Sequence, residues 1–230
     1  VHHAPIRVSY STVTSLVPAL LPPANPLRPA PEIILHIGLA AGRDFYALER
    51  GAHARGYGAI PDVDGERFTD AEAEHRFPAD AFPGRIATGF DTDDVLRRWK
   101  AHLGFSGGQG HPHMPAEIRT PPKLLPDVRL SDDAGNFMCG FIYWNSLAHY
   151  FSMARDGSGN AERPVVFLHV PDLSASQDKV AEGVRVTVAL IRALVESWKE
   201  VGFGKGGDEE AVAGGAVAED TRARTDNNFA

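Results

Sequence analysis

Apolar positions along the 230-residue chain fall into two kinds of run. Short, β-branched stretches predict strands: PIRVSY (5–10), EIILHIG (32–38), DVRLS (127–131) and RPVVFLHVP (163–171). The second and fourth are almost continuously apolar, the pattern of strands covered on both faces. Helical patterns alternate with them. TDDVLRRWKAHLG (92–104) offers Asp91 or Thr92 as N-cap, acids in its first turn and Gly104 as a stop. Residues 176–201 carry Val180, Val184, Thr187, Ile191, Leu194, Val195 and Trp198 at helical spacing, which predicts one apolar stripe ending near Gly202. In 137–153, Phe137, Phe141, Trp144 and Ala148 mark the buried face of a third helix, with Asn136 placed to cap it. Strands alternating with helices imply an α/β layer fold with a mostly parallel sheet.

Two segments fall outside that pattern. Residues 104–126 are rich in Gly and Pro and read as a long surface loop inserted into one domain that spans 1–202. Residues 203–230 lack periodicity and read as a disordered tail. Residues 11–26 have the apolar character of a leader segment, but Arg7 is their single positive flank and Pro18 interrupts them, so they are assigned to the domain. No apolar run approaches the roughly 20 residues of a membrane-spanning helix.

Charge narrows the function classes. The net charge is −7 and no run of Lys or Arg exceeds two residues, which argues against nucleic acid and anionic membrane surfaces as partners. A single cysteine makes no internal disulfide, so a reducing, cytoplasmic setting is expected. The oligomeric state, a homo-oligomer included, is not written in the sequence.

Cys139 is either a small core hydrophobe or a nucleophile. It follows the turn residues Asp133, Ala134 and Gly135 and falls in the first turn of the 137–153 helix. There the unpaired N–H groups favour a thiolate and an oxyanion. A nucleophilic thiol needs a base. His169 ends the buried strand VVFLHV just before Pro171, at the sheet edge where open α/β folds collect their ligands; in a bland reading it is a satisfied core histidine. Residues Gly38 to Gly42 form a small-residue turn after another buried strand, and Glu49 follows seven residues later, readable alone as a solvated acid. His111, His113 and Glu117 sit in the Gly/Pro-rich loop without the fixed ligand spacing of a metal site, so no metal is expected. His2 and His3 lie at the start of the chain and carry no assigned role.

Taken in order, three segments give the chain a family resemblance. LHIGLAAGRDFYALERGAHARGY (35–57), SDDAGNFMCGFIYWNSL (131–147) and VVFLHVPDL (165–173) together resemble the pyroglutamyl peptidase I (pyrrolidone-carboxylate peptidase) family of cysteine peptidases. The first is similar to the family's V-G-x-x-G-x-R turn and T-x-E-R strand, the second to its A-G-x-[FY]-x-C motif, and the third to its F-[IV]-H-[IV]-P motif. The similarity covers roughly residues 1–65 and 85–200. It implies a three-layer α/β/α sandwich of the phosphorylase/hydrolase-like kind, with Cys139 as nucleophile, His169 as acid–base and Glu49 orienting His169. The implied substrates are peptides with an N-terminal pyroglutamate (5-oxoproline), and no cofactor is implied. Phe137 and Ile60 are expected against the lactam ring, with the backbone of Leu39 bonding it.

The chain departs from the family pattern at its start. Residues 1–20 are similar to the family's second strand and following helix, so the sequence as given is expected to lack the family's N-terminal strand and its G-F-x-P-F loop. Leu39 stands where many members carry Gln, and Ala59 where bacterial members carry Arg. A non-catalytic relative that binds pyroglutamyl peptides or lactams, and another cysteine hydrolase on the same fold, are the alternative readings.

Overall fold

RPVVFLHVP lies where its composition predicts, between other strands of a sheet. In the computed structural model, which describes residues 6–24, 31–105, 125–157 and 162–204, the elements follow in this order: α1 (Tyr10–Leu20), β1 (Ile34–Leu39), β2 (Tyr46–Glu49), β3 (Gly51–His53), α2 (Asp70–Arg76), β4 (Arg85–Ala87), α3 (Thr92–His102), β5 (Val128–Ser131), α4 (Met138–Arg155), β6 (Val165–Val170) and α5 (Gln177–Glu200). The main sheet has the order β1-β6-β2-β5. β1 runs parallel to β6, β2 runs parallel to β5, and β2 meets β6 antiparallel. β3 and β4 form a separate antiparallel pair.

Strand alternation sorts β6 into two layers of core. Val165 and Phe167 pack with Tyr10, Val13 and Val17 of α1 and Phe141, Trp144 and Leu147 of α4. Val166 and Leu168 pack on the other face with Val95 and Trp99 of α3 and Val186, Leu190 and Leu194 of α5. The result is the mostly parallel α/β/α sandwich expected from the sequence. Asp91 caps α3 through the backbone N–H groups of Asp93 and Asp94, and Gly104 takes the left-handed conformation just past its end, φ +89°, as its sequence predicts.

Three local readings are corrected. PIRVSY forms no strand among its described residues. Ser9 caps α1 by accepting from the N–H of Thr12, and Asp62 Oδ2 accepts from the N–H of Tyr10 at 2.8 Å, so residues 6–9 lead into a helix instead. The apolar stripe of α5 is also rotated. Val180, Val184 and Ile191 are 50, 58 and 45% exposed, and the buried seam runs through Gly183, Val186, Ala189, Leu190, Ala193, Leu194 and Ser197. Gly183 explains the rotation: a Cβ there would stand 2.4 Å from Leu173 Cδ1, so the small-residue side packs inward. Finally, the residue capping α4 is Phe137 rather than Asn136.

Residues 11–20, considered above as part of a leader segment, are helical and contribute Val13 and Val17 to the core. Among the described residues no helix is long and apolar enough to cross a membrane. Most of the 104–126 loop, including His111, His113 and Glu117, lies outside the described residues, as do His2, His3 and residues 205–230 of the tail.

Candidate active site

The site grows from the face of the sheet turned toward α4. On β2, Tyr46 and Leu48 point into the α3/α5 core, which leaves Ala47 and Glu49 on the α4 side. On β6, Phe167 and His169 share that side. The register then sets Glu49 opposite Phe167, Ala47 opposite His169, and Gly38 of β1 opposite His169 from the other flank.

Here the Glu49 carboxylate reaches the imidazole. His169 Nδ1 and Glu49 Oε1 are 2.8 Å apart, with Glu49 wholly buried and His169 4% exposed. A carboxylate only accepts, so Nδ1–H donates to it and Nε2 is left as the basic nitrogen. The resemblance assigned these two residues to one site, and the structure brings them into contact across 120 positions.

Cys139 enters from the opposite layer, on the first turn of α4, partly buried against the core that contains Phe141 and Phe167. A Cβ placed on Gly38 would stand 2.9 Å from its sulfur and 2.6 Å from Phe167 Cζ. Gly38 is therefore the gap in the sheet into which the thiol fits, and the residue paired with Gly38 is His169. The N-cap residue Phe137 supplies no side-chain cap of its own, and the positive end of the α4 dipole lies beside the thiol, where it favours negative charge.

The approach to α4 is tightly built. Gly135 adopts φ +82° and its N–H donates to Asp133 Oδ1 at 2.9 Å. A Cβ on Gly140 would lie 2.0 Å from the Gly135 carbonyl oxygen. Glycine directly after the cysteine is thus what lets the turn fold down on the helix start.

Reading the sequence alone did not single out four of the contributing residues: Gly38 as the thiol's slot, Gly140, Arg43 and Tyr143. Arg43 Nη1 donates to Glu49 Oε1 at 2.8 Å, the same oxygen that His169 uses, and its Nη2 donates to the Asp133 carbonyl at 3.0 Å. Tyr143 hydroxyl donates to the Glu49 backbone carbonyl at 3.1 Å. Burial, reinforced by the Glu49 charge, raises the Tyr143 hydroxyl well above its ordinary value and keeps it a donor. Arg43 had one sequence signal, its place directly behind the Gly38–Gly42 turn. Tyr143 lay hidden in an aromatic run.

The three expected pocket residues are less uniformly placed. Phe137 meets Tyr10 edge-on with ring centroids 6.2 Å apart, and the Ile60 carbonyl accepts from the Tyr10 hydroxyl at 3.0 Å, so both stand around one buried tyrosine. Leu39 is different. The N–H groups of Ile34 and Ala40 bond across to Pro164 and Val170, so alternation turns the backbone of Leu39 to the outer edge of β1. Its side chain is 42% exposed.

No family model matches the chain. It is similar to human pyroglutamyl-peptidase 1, with 26% identity over 197 residues, 85% of this chain and 74% of that protein. The rat protein of the same name is 25% identical over the same lengths. Among solved structures, a mutant form of pyrrolidone carboxyl peptidase from the hyperthermophile Pyrococcus furiosus superposes with a TM-score of 0.56, covering 85% of this chain and 80% of that one at 19% identity. A further structure of that enzyme superposes with a TM-score of 0.56 at 17% identity. The solved structures share the fold of this chain, and its sequence similarity to the pyroglutamyl-peptidases runs along 85% of its length.

Proposed function

We propose that this protein is a cysteine exopeptidase that removes N-terminal pyroglutamate from peptides, using Cys139, His169 and Glu49. The observation that carries the reading is the buried Glu49–His169 pair, 2.8 Å apart, set across from the Gly38 gap against which the Cys139 sulfur lies.

The chemistry follows from those positions. Glu49 holds Nδ1–H and so fixes the ring with Nε2 as base. Nε2 takes the thiol proton as the Cys139 sulfur attacks the carbonyl carbon of the pyroglutamyl residue. The oxyanion that forms is held by N–H groups at the start of α4. His169 returns its proton to the departing amine as the C–N bond breaks, leaving a thioester on Cys139. Water, deprotonated by His169, then attacks the thioester, and 5-oxoproline leaves as the thiol is restored. A neutral lactam calls for an apolar wall with a few backbone hydrogen bonds, the role given to Phe137, Ile60 and the Leu39 backbone. A thiol nucleophile works in a reducing compartment, in keeping with a cytoplasmic protein.

The test is product identity. The protein is incubated with a peptide carrying N-terminal pyroglutamate and with the same peptide beginning with glutamine or proline. Free 5-oxoproline from the first alone is expected. Cleavage of the proline peptide at a comparable rate, or no release from any of them, contradicts the reading.

A further inference from the structure

Arg43 connects two parts of the site that the sequence keeps far apart. Its Nη1 donates to Glu49 Oε1 at 2.8 Å and its Nη2 to the Asp133 carbonyl, 90 positions away, at 3.0 Å. Glu49 lies on β2 and anchors His169, whereas Asp133 lies in the turn that delivers Cys139 at the start of α4. One planar guanidinium therefore spans the base-orienting acid and the nucleophile's approach, holding a fixed separation between them with two donors in a rigid fork.

The electrostatics of Glu49 give the contact a second role. Glu49 is wholly buried, and its Oε2 has no hydrogen-bond partner among the described residues. The hydrogen bonds seen at its carboxylate among those residues fall on Oε1, which receives both His169 and Arg43. A buried carboxylate bonded to a neutral imidazole alone would carry a heavy desolvation cost. The Arg43 side chain, 21% exposed, supplies the opposite charge from the solvent side. Its donor to Oε1 also selects one rotamer of the carboxylate, the one that faces His169. Tyr143, also beside Glu49, bonds the backbone and not the carboxylate.

We propose that Arg43 is a positioning residue of the active site, acting through Glu49 and the Asp133 turn to hold His169 and Cys139 in reacting register. This rests on the cysteine-peptidase reading above, and it makes a separate claim: Arg43 governs the chemical step and leaves substrate binding alone. It does not touch substrate.

Arg43→Met and Arg43→Lys are compared with the wild-type chain for kcat and KM on a pyroglutamyl amide, together with the low-field proton resonance of His169 Nδ1–H. In Arg43→Met, kcat is expected to fall about 10- to 100-fold, the scale of a displacement of about 1 Å in a catalytic constellation. KM stays within about twofold, as for an interaction that acts only in the chemical step, and the Nδ1–H resonance moves or broadens. Arg43→Lys keeps a charge for Glu49 but loses the fork to Asp133, so it recovers the resonance and only part of kcat. Unchanged kcat in Arg43→Met overturns the proposal, and so does a fall in kcat matched by a rise in KM with the resonance unmoved. If Arg43→Met does not fold, Arg43→Lys decides: lowered kcat at constant KM supports the role and wild-type kcat overturns it. Cys139→Ala in parallel separates the two claims, since turnover surviving there defeats the peptidase reading itself, whatever Arg43 does.

Discussion

Two histidines face α4 from neighbouring strands and flank the same ring. His36 of β1 stacks on Phe167 at 6.0 Å, and the ring of His169 of β6 lies tilted 4.7 Å from it. Their partners differ. His36 Nε2 meets the buried hydroxyl of Ser146 at 3.0 Å, and burial pushes it down to about 4, so it stays neutral. His169 meets a buried carboxylate that an arginine also engages, and it stands opposite the gap that receives a thiol. Burial alone makes a histidine a structural group; a carboxylate on one nitrogen and a nucleophile toward the other make it an acid–base.

That contrast can be broken at several points. The largest effect is expected from His169→Ala, which should lower turnover on the order of 10³- to 10⁶-fold, as loss of a triad base does. His36→Gln should keep most of its activity. Initial rates of both, with melting curves to confirm folding, make the comparison, and equal losses would erase the distinction. Glu49→Gln comes next. It keeps the shape and removes the charge, so a fall of about 10²–10⁴ in kcat is expected with the fold retained.

A smaller loss is expected from Gly38→Ala. Its methyl group would meet Phe167 and the Cys139 sulfur at 2.6 and 2.9 Å. The thiol must shift, which should cost about 10- to 100-fold in kcat and about 1–3 kcal/mol of stability from overpacking. Wild-type kinetics in this variant would show that the thiol does not use the Gly38 gap.

The smallest effect belongs to His36 and is read in stability rather than rate. Its folded value of about 4 lies below the ordinary 6.5, so between those pH values the unfolded chain binds the extra proton. Its contribution is present above about pH 6.5 and is lost as pH falls toward 4, at most about 3 kcal/mol. Denaturant titrations of wild type and His36→Gln, run near neutral pH and again in mild acid, measure it. The variant should lose less stability on acidification, and parallel losses would contradict the assignment.

Much of this arrangement was legible in the sequence, for identifiable reasons. β6 declares itself by a continuous apolar run ending in His169, and α3 by Asp91 and Gly104 at its two ends. The motif order pointed to Glu49, Cys139 and His169 before any coordinates. Other features were hidden because the periodic signal is degenerate there. β2 is four residues long and buried on both faces, so it shows no alternation. α1 contains Pro18, which interrupts the apolar run of residues 11–26, and the proline sits in the helix's last turn. The valines of α5 imitate a core stripe, whereas the true seam is rich in glycine, alanine and serine, whose small volume carries little hydrophobic signal. α2 did leave a mark that went unused, the Thr69…Glu72 capping box. The role of Arg43 was hidden for a different reason: its two acceptors lie 6 and 90 positions away, and only the fold places them together.

The Glu49–His169 pair is enclosed by packing, while Leu39 presents its backbone at the outer edge of β1, the end strand of the sheet among the described residues. The reacting group itself is the Cys139 thiol, and every step of the proposed chemistry passes through it. Hydrolysis of a fluorogenic pyroglutamyl amide by the wild-type chain and by Cys139→Ala tests it most directly. Turnover by the wild type that disappears in a variant of unchanged melting temperature is the predicted result. Turnover that survives in Cys139→Ala, or is absent from the folded wild-type protein, would contradict it.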